Sequence, residues 1–269
     1  KQILKTKAGK TYYSLTLQDK TGTADGKIWE LNNGIANFEP MDYIHCEGMV
    51  TSFQGNLQMN ISRVRISDEG EYDPADYVPC TNKDVGEMFS RILKYVASVQ
   101  NKYLRKILEM YFVENKEFVD AFKKHSAAKS VHHGFMGGLL EHTLSVTDMC
   151  QYFAEHYPMI HRDLLITAAL FHDMGKIQEI SDFPMNDYTD DGQLLGHIYI
   201  GARCMENATA QIPNFPPKLK NELVHCILAH HGKMEFGSPK VPAIMEAMAL
   251  HMADNADAKL QTLTEVFTQ

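Results

Sequence analysis

A chain of 269 residues with 44% hydrophobic and 22% charged content has material for two ordinary domains, each able to bury a core, and no low-complexity tract marks it as disordered. No apolar run approaches the length of a membrane-spanning helix, so a membrane partner is not expected. The net charge of −8 argues against a uniformly basic polyanion binder, but residues 1–66 carry eight Lys/Arg against six Asp/Glu, a balance of +2, and the rest eighteen against twenty-eight, −10.

In chain order, Lys1 stands where a Met would begin a protein, which implies a start further upstream, and no signal-like apolar stretch follows it. From Thr11 to about Ile66 the texture is that of strands. Tyr12-Tyr13-Ser14-Leu15-Thr16-Leu17 alternates, Asp19-Lys20-Thr21-Gly22 turns, and Thr23 to Trp29 runs on. Tyr43 to Phe53 and Leu57 to Ile66 read as a hairpin with the three-residue connection Gln54-Gly55-Asn56. Five or so short strands suit a small OB-like β-barrel over 1–66, followed by an Asp-, Glu- and Pro-rich linker over 67–80.

From 81 to 269 the pattern becomes that of amphipathic helices. Thr81-Asn82-Lys83-Asp84 resembles a capping box ahead of an apolar stripe at Val85, Met88, Phe89, Ile92, Leu93 and Val96. Further helices are expected over 101–113, 115–125, 138–157, 161–174, 192–210, 217–231 and 240–260, with Pro216 and Pro217 marking one start. Five widely spaced cysteines without a C-x-x-C pair suit neither a disulfide framework nor a zinc ribbon, and a reducing cytoplasm is the expected location. The fold class is therefore multi-domain: a small β-barrel, then an all-α domain.

The chemistry concentrates in the second half. His142 shares a helix face with Val146, Met149 and Phe153, so it points inward. His172-Asp173, His197, His230 and Asp254 also lie in helical segments beside apolar residues. A lone inward histidine is usually a hydrogen-bonded core residue, but burying several imidazoles and two carboxylates together costs several kcal/mol each, which a divalent cation offsets. His172 and Asp173, as neighbours, point about 100° apart and reach one metal only where helices converge. This places His142, His172, Asp173 and Asp254 around a first ion, with Asp173 bridging to a second held by His197 and His230; His231 is a further ligand or an orienting group.

The order H…HD…D resembles the HD phosphohydrolase superfamily. The longer strings His132-His133-Gly134-Phe135-Met136-Gly137-Gly138-Leu139-Leu140-Glu141-His142, His172-Asp173-Met174-Gly175-Lys176, Leu195-Gly196-His197 and Ala229-His230-His231-Gly232-Lys233 narrow the resemblance to YhaM-type 3′→5′ exoribonucleases, in which an OB-fold precedes an HD domain. The resemblance implies manganese-favoured hydrolysis of RNA or single-stranded DNA from the 3′ end to nucleoside 5′-monophosphates, and often a homo-oligomer. Two ions per chain are expected, with Mg, Fe, Co or Zn as alternatives to Mn.

Asp173 and Lys176 are the candidate catalytic residues. Lys176, one turn beyond Asp173, meets a phosphate oxygen or faces solvent at a helix end. His132 and His133 precede a glycine-rich turn and either approach a substrate phosphate or cap the next helix; Lys233 and Ser238 line a product pocket or merely a polar loop; Glu141 is expected at the surface. In the barrel, Tyr12, Tyr13, Trp29 and Phe53 offer stacking surfaces or core, while Lys5, Lys7, Lys10, Lys27, Arg63 and Arg65 draw in a nucleic-acid backbone. Tyr12 and Tyr13 must face opposite sides of their strand. Besides the exonuclease reading, the residues allow an HD-type nucleotide or cyclic-nucleotide phosphohydrolase, or a nucleic-acid-binding module with a structural metal.

Overall fold

The structure, a computed structural model, describes residues 1–269 except Asn33, Ser130, Val131, His132 and Gln269. It divides into two compact units, Lys1–Pro79 and Cys80–Gln269.

In the first unit, alternating apolar residues build β1 (Gln2–Lys5), β2 (Thr11–Asp19), β3 (Gly22–Ile28), β4 (Ile44–Phe53) and β5 (Asn56–Ile66). They form one sheet in the order β1-β2-β3-β5-β4, antiparallel except for the parallel pair β3/β5, in which Gly26 lies opposite Met59. Hairpins joined by one parallel return are the arrangement of an OB-like fold. Leu15, Ile28, Phe38, Ile61 and Val64 make its core. Ile61 and Val64, three residues apart, both face inward because the register shifts opposite Glu47/Gly48, leaving Ser62 as a bulge that resets the alternation.

Two expectations need correction here. The β4/β5 connection has two residues, Gln54 and Gly55, both at positive φ, because Asn56 already pairs with Phe53; this twist matches that of the strands. The stretch read as a linker instead folds back on the sheet through Pro79. Tyr72 stacks on Tyr43 at 4.1 Å between centroids, and Tyr77 meets Tyr43 edge-on at 5.3 Å.

The second unit is helical: α1 (Val85–Ser98), α2 (Lys102–Glu109), α3 (Lys116–Lys124), α4 (Gly138–His156), α5 (Arg162–Phe171), α6 (Lys176–Glu179), α7 (Asp190–Ala210), α8 (Pro217–Ala229) and α9 (Met245–Thr268). The cap of α1 is Asp84, which accepts from the Glu87 amide at 2.8 Å, three residues later than the Thr81 box suggests. Thr81 instead donates its hydroxyl to Glu141, which is buried and also paired with Lys83 at 2.9 Å, so the surface placement of Glu141 is overturned.

From Leu164 to Phe171 every residue of α5 is buried, the profile of a helix enclosed on all sides. It carries the chain to His172 at the centre of the unit. α9 begins at Met245 rather than near 240 because Pro239 and Pro242 break the preceding segment, and it runs on past 260. Among the described residues no helix is long and apolar enough to cross a membrane.

Candidate metal centre

Five elements deliver imidazoles or carboxylates to one point in the helical unit. His142 comes from the first turns of α4, His172 and Asp173 from the turn that ends α5, His197 from α7, His230 from the end of α8, and Asp254 from α9. Gly196 breaks α7 with φ 71°, ψ 152°. Its conformation, closed to a side chain, frees the His197 amide to donate to Glu179 Oε1 at 2.9 Å instead of to its own helix.

Each ring is held at Nδ1. His142 Nδ1 donates to Asp257 Oδ2 at 2.6 Å, His172 to the Ala169 carbonyl at 2.8 Å, His197 to Glu179 Oε1 at 2.9 Å and His230 to the Ile227 carbonyl at 2.6 Å. An acceptor at Nδ1 fixes the tautomer and leaves Nε2 with its lone pair free, the condition for ligating a metal.

The four Nε2 atoms converge on Asp173. Oδ2 lies 3.3 Å from His142 and 3.4 Å from His172, while Oδ1 lies 3.5 Å from both His197 and His230. Asp254 Oδ1 stands 3.3 Å from His142 Nε2 and 3.9 Å from that of His172. His231, with Nδ1 donating to the Phe236 carbonyl at 2.8 Å, joins Asp173, His197 and His230 in a group whose ligand atoms lie within 4.8 Å of one another. The chain thus brings together every residue expected at the metal.

The donor set fits a divalent cation. Asp173 Oδ1 and the Nε2 atoms of His197 and His230 are buried without a hydrogen-bond partner among the described residues, a cost that bound metal removes. His142 and His172 aim Nε2 at Nε2 across 3.2 Å, which needs a shared proton or cation between the lone pairs. Burial pushes His172 down to about 4, against the pull of Asp173 and Asp254. Burial opposes charge on His142 too, but the hydrogen bonds it donates to the Asp173, Asp254 and Asp257 carboxylates outweigh it and hold its pKa well above the usual value, so a cation at Nε2 would take the place of a proton there. Asp173 resists burial through Lys176, whose ammonium lies 2.7 Å from Oδ2, and the imidazoles, and stays ionised well below the usual carboxylate range.

Other expectations fare differently. His132 lies outside the described residues. His133 is 2% exposed, with Nε2 2.9 Å from Asp257 Oδ2, the carboxylate oxygen that also holds His142. Ser238 is buried in its loop, and Lys233 lies 3.2 Å from Glu235 with its ammonium 5.3 Å from the centroid of the Phe236 ring, which lines the cavity beside the cluster.

In the sheet unit, Tyr13 is partly buried and meets the core residue Phe38 edge-on, while Tyr12 stacks on Trp29 at 4.7 Å on the opposite face and Phe53 is exposed at the hairpin tip. Lys27 is bound by Ser14 and Asp25, and Arg63 lies 3.6 Å from Glu47. Both cations already have neighbours that temper their pull on a phosphate.

Sequence reading missed Glu179 and Asp257, the carboxylates that orient His197 and His142. Their signal is faint but present: Asp254 and Asp257 are three apart on one helix, and Glu179 follows Lys176 by three.

An HD domain model matches residues 139–259. The chain is 32% identical over 257 residues to the 3′-5′ exoribonuclease YhaM of Geobacillus sp. strain WCH70, covering 95% of this chain and 78% of the relative. It is 31% identical to that of Bacillus subtilis strain 168 (95% and 81% covered) and 32% identical to that of Listeria innocua serovar 6a (96% and 82%). No solved structure matches. Similarity that runs through both units, together with the HD match across the histidine cluster, makes this chain a member of the YhaM family of HD-domain 3′-5′ exoribonucleases.

Proposed function

We propose that this chain is a metal-dependent 3′→5′ exonuclease acting on RNA, and on single-stranded DNA as a second substrate, that releases nucleoside 5′-monophosphates. The observation that carries the reading is the convergence of four Nε2 atoms on the two oxygens of Asp173. In this reading His142, His172, Asp173 and Asp254 would hold one cation, and Asp173, His197 and His230 would hold a second, with His231 beside them. A divalent cation there, manganese before Mg, Fe, Co or Zn, supplies Lewis acidity toward water and phosphate. Lys176 turns its ammonium from Asp173 to a non-bridging phosphate oxygen, Glu179 and Asp257 keep the imidazoles aimed, and the buried walls limit bulk water.

The sheet unit serves as the nucleic-acid-binding domain, with the Tyr12–Trp29 stack and Phe53 as base platforms. A homo-oligomer working in the cytoplasm completes the proposal.

A 5′-labelled oligoribonucleotide with Mn²⁺ is expected to shorten stepwise from its 3′ end and to stop on addition of EDTA. Absence of any chelator-sensitive shortening across these metals defeats the reading. Asp257→Asn and Glu179→Gln are each expected to weaken Mn²⁺ binding about 10–100-fold in a calorimetric titration, since each removes the charge that orients one ligand. Unchanged affinity in both variants would show that these carboxylates orient nothing.

A further inference from the structure

A cavity of about 190 Å³ opens beside the cluster, with His142, Asp254 and Lys176 on its floor. Its wall carries three groups that the cluster does not use: Phe236, His251 and Asn255.

Phe236 ends a short turn, Met234–Phe236, and its ring is 56% exposed at the cavity rim. The backbone beneath it is fixed, because its carbonyl accepts from His231 Nδ1 at 2.8 Å and its amide donates to Lys233 at 3.1 Å. The Lys233 ammonium stands over one face of the ring, 5.3 Å from its centroid, and the remaining surface of this apolar ring on a rigid turn is available for stacking.

His251, on α9, donates Nδ1–H to the His230 carbonyl at 2.9 Å. Its ring occupies the space above Gly232, where a Cβ would come within 2.2–2.5 Å of three ring atoms. Position and tautomer are therefore set, and Nε2 remains an acceptor without a partner among the described residues. One turn along the same helix, the Asn255 carboxamide is also without a hydrogen-bond partner among the described residues. An acceptor beside a carboxamide suits neighbouring hydroxyls, which both donate and accept. Ala127 and Ala258 leave room for a flat ring.

We infer that this cavity seats the 3′-terminal nucleoside of the substrate, its base stacked on Phe236 and its ribose hydroxyls at His251 and Asn255. The assignment rests on the exonuclease reading above. It places the scissile phosphate over Lys176 and Asp254, adjoining the nucleoside on the cavity floor.

The test pairs variants with altered substrate ends. kcat/KM is measured with Mn²⁺ on 5′-labelled oligoribonucleotides whose last residue is normal, abasic or 2′-deoxy. Phe236→Ala is expected to lower kcat/KM about tenfold on the normal end, mainly through KM, and by under about twofold on the abasic end, with Phe236→Trp restoring the loss. Phe236→Leu, which keeps apolar bulk without a ring face, should resemble the alanine variant. Asn255→Ala should cost about fivefold on the ribose end and little on the 2′-deoxy end. Losses that ignore the missing base or the missing hydroxyl overturn the pocket while leaving the exonuclease reading intact. A wild-type enzyme that shortens none of these substrates overturns both.

Discussion

Asp173→Asn is expected to lower exonuclease turnover by about 10³-fold or more and to empty the metal centre, as judged by elemental analysis of the purified protein and by shortening of a labelled oligoribonucleotide. Among the described residues Asp173 alone turns one oxygen toward His142 and His172 and the other toward His197 and His230, so a single carboxylate serves both halves of the cluster. Asparagine keeps the volume but removes the charge and replaces one acceptor by a donor, which faces an imidazole nitrogen or the Lys176 ammonium. Lys176, 12% exposed, would then lose the anion 2.7 Å from it, which costs at most the about 3–5 kcal/mol of breaking a buried pair, since Asp254 and Glu179 still act on it. Thermal unfolding of both proteins in EDTA separates that cost from the loss of metal. A variant that retains both its full metal content and its turnover would remove Asp173 from the centre of the site.

A second large effect is expected at a residue with no chemistry of its own. Gly175 has ordinary helical backbone angles, so its role is not conformational freedom. A Cβ there would lie 2.1 Å from the His197 carbonyl oxygen and 2.9 Å from the Gly201 amide nitrogen, both backbone atoms of α7 that cannot swing aside. Gly175→Ala must therefore push α7 away from the turn that carries Asp173. Overpacking of this kind costs about 1–3 kcal/mol or more, and it widens the 3.5 Å approach of His197 to Asp173. A misplacement near 1 Å is enough for about a 10²-fold loss of activity. Denaturant titration and single-turnover shortening read the two effects separately. An alanine variant of wild-type stability and rate would mean that the two segments do not need this contact.

Much of the fold was legible because it depends on local pattern. Tyr12 to Leu17 alternates and becomes β2; the apolar spacing from Val85 to Val96 becomes α1. The errors also have local causes. Aspartate caps a helix as readily as threonine, so the Thr81 box points three residues too early for α1, and Asn56 resembles part of a turn that Gln54 and Gly55 close by themselves. Alternation says only that Tyr12 and Tyr13 part company, and not which sheet face the core takes, which is the face of Tyr13. The same limit applies to Glu141, whose neighbour Thr81 lies 60 residues away.

By itself the sequence determined that a β-rich unit precedes a helical one, and that His142, His172, Asp173, His197, His230 and Asp254 lie on segments with buried faces. Both follow from periodicity and residue type, which a chain displays without being folded. Only the tertiary structure decided which nitrogen of each imidazole faces inward, because that depends on the atom holding the other nitrogen. For His197 that atom belongs to Glu179, 18 residues away, and for His142 to Asp257, 115 residues away.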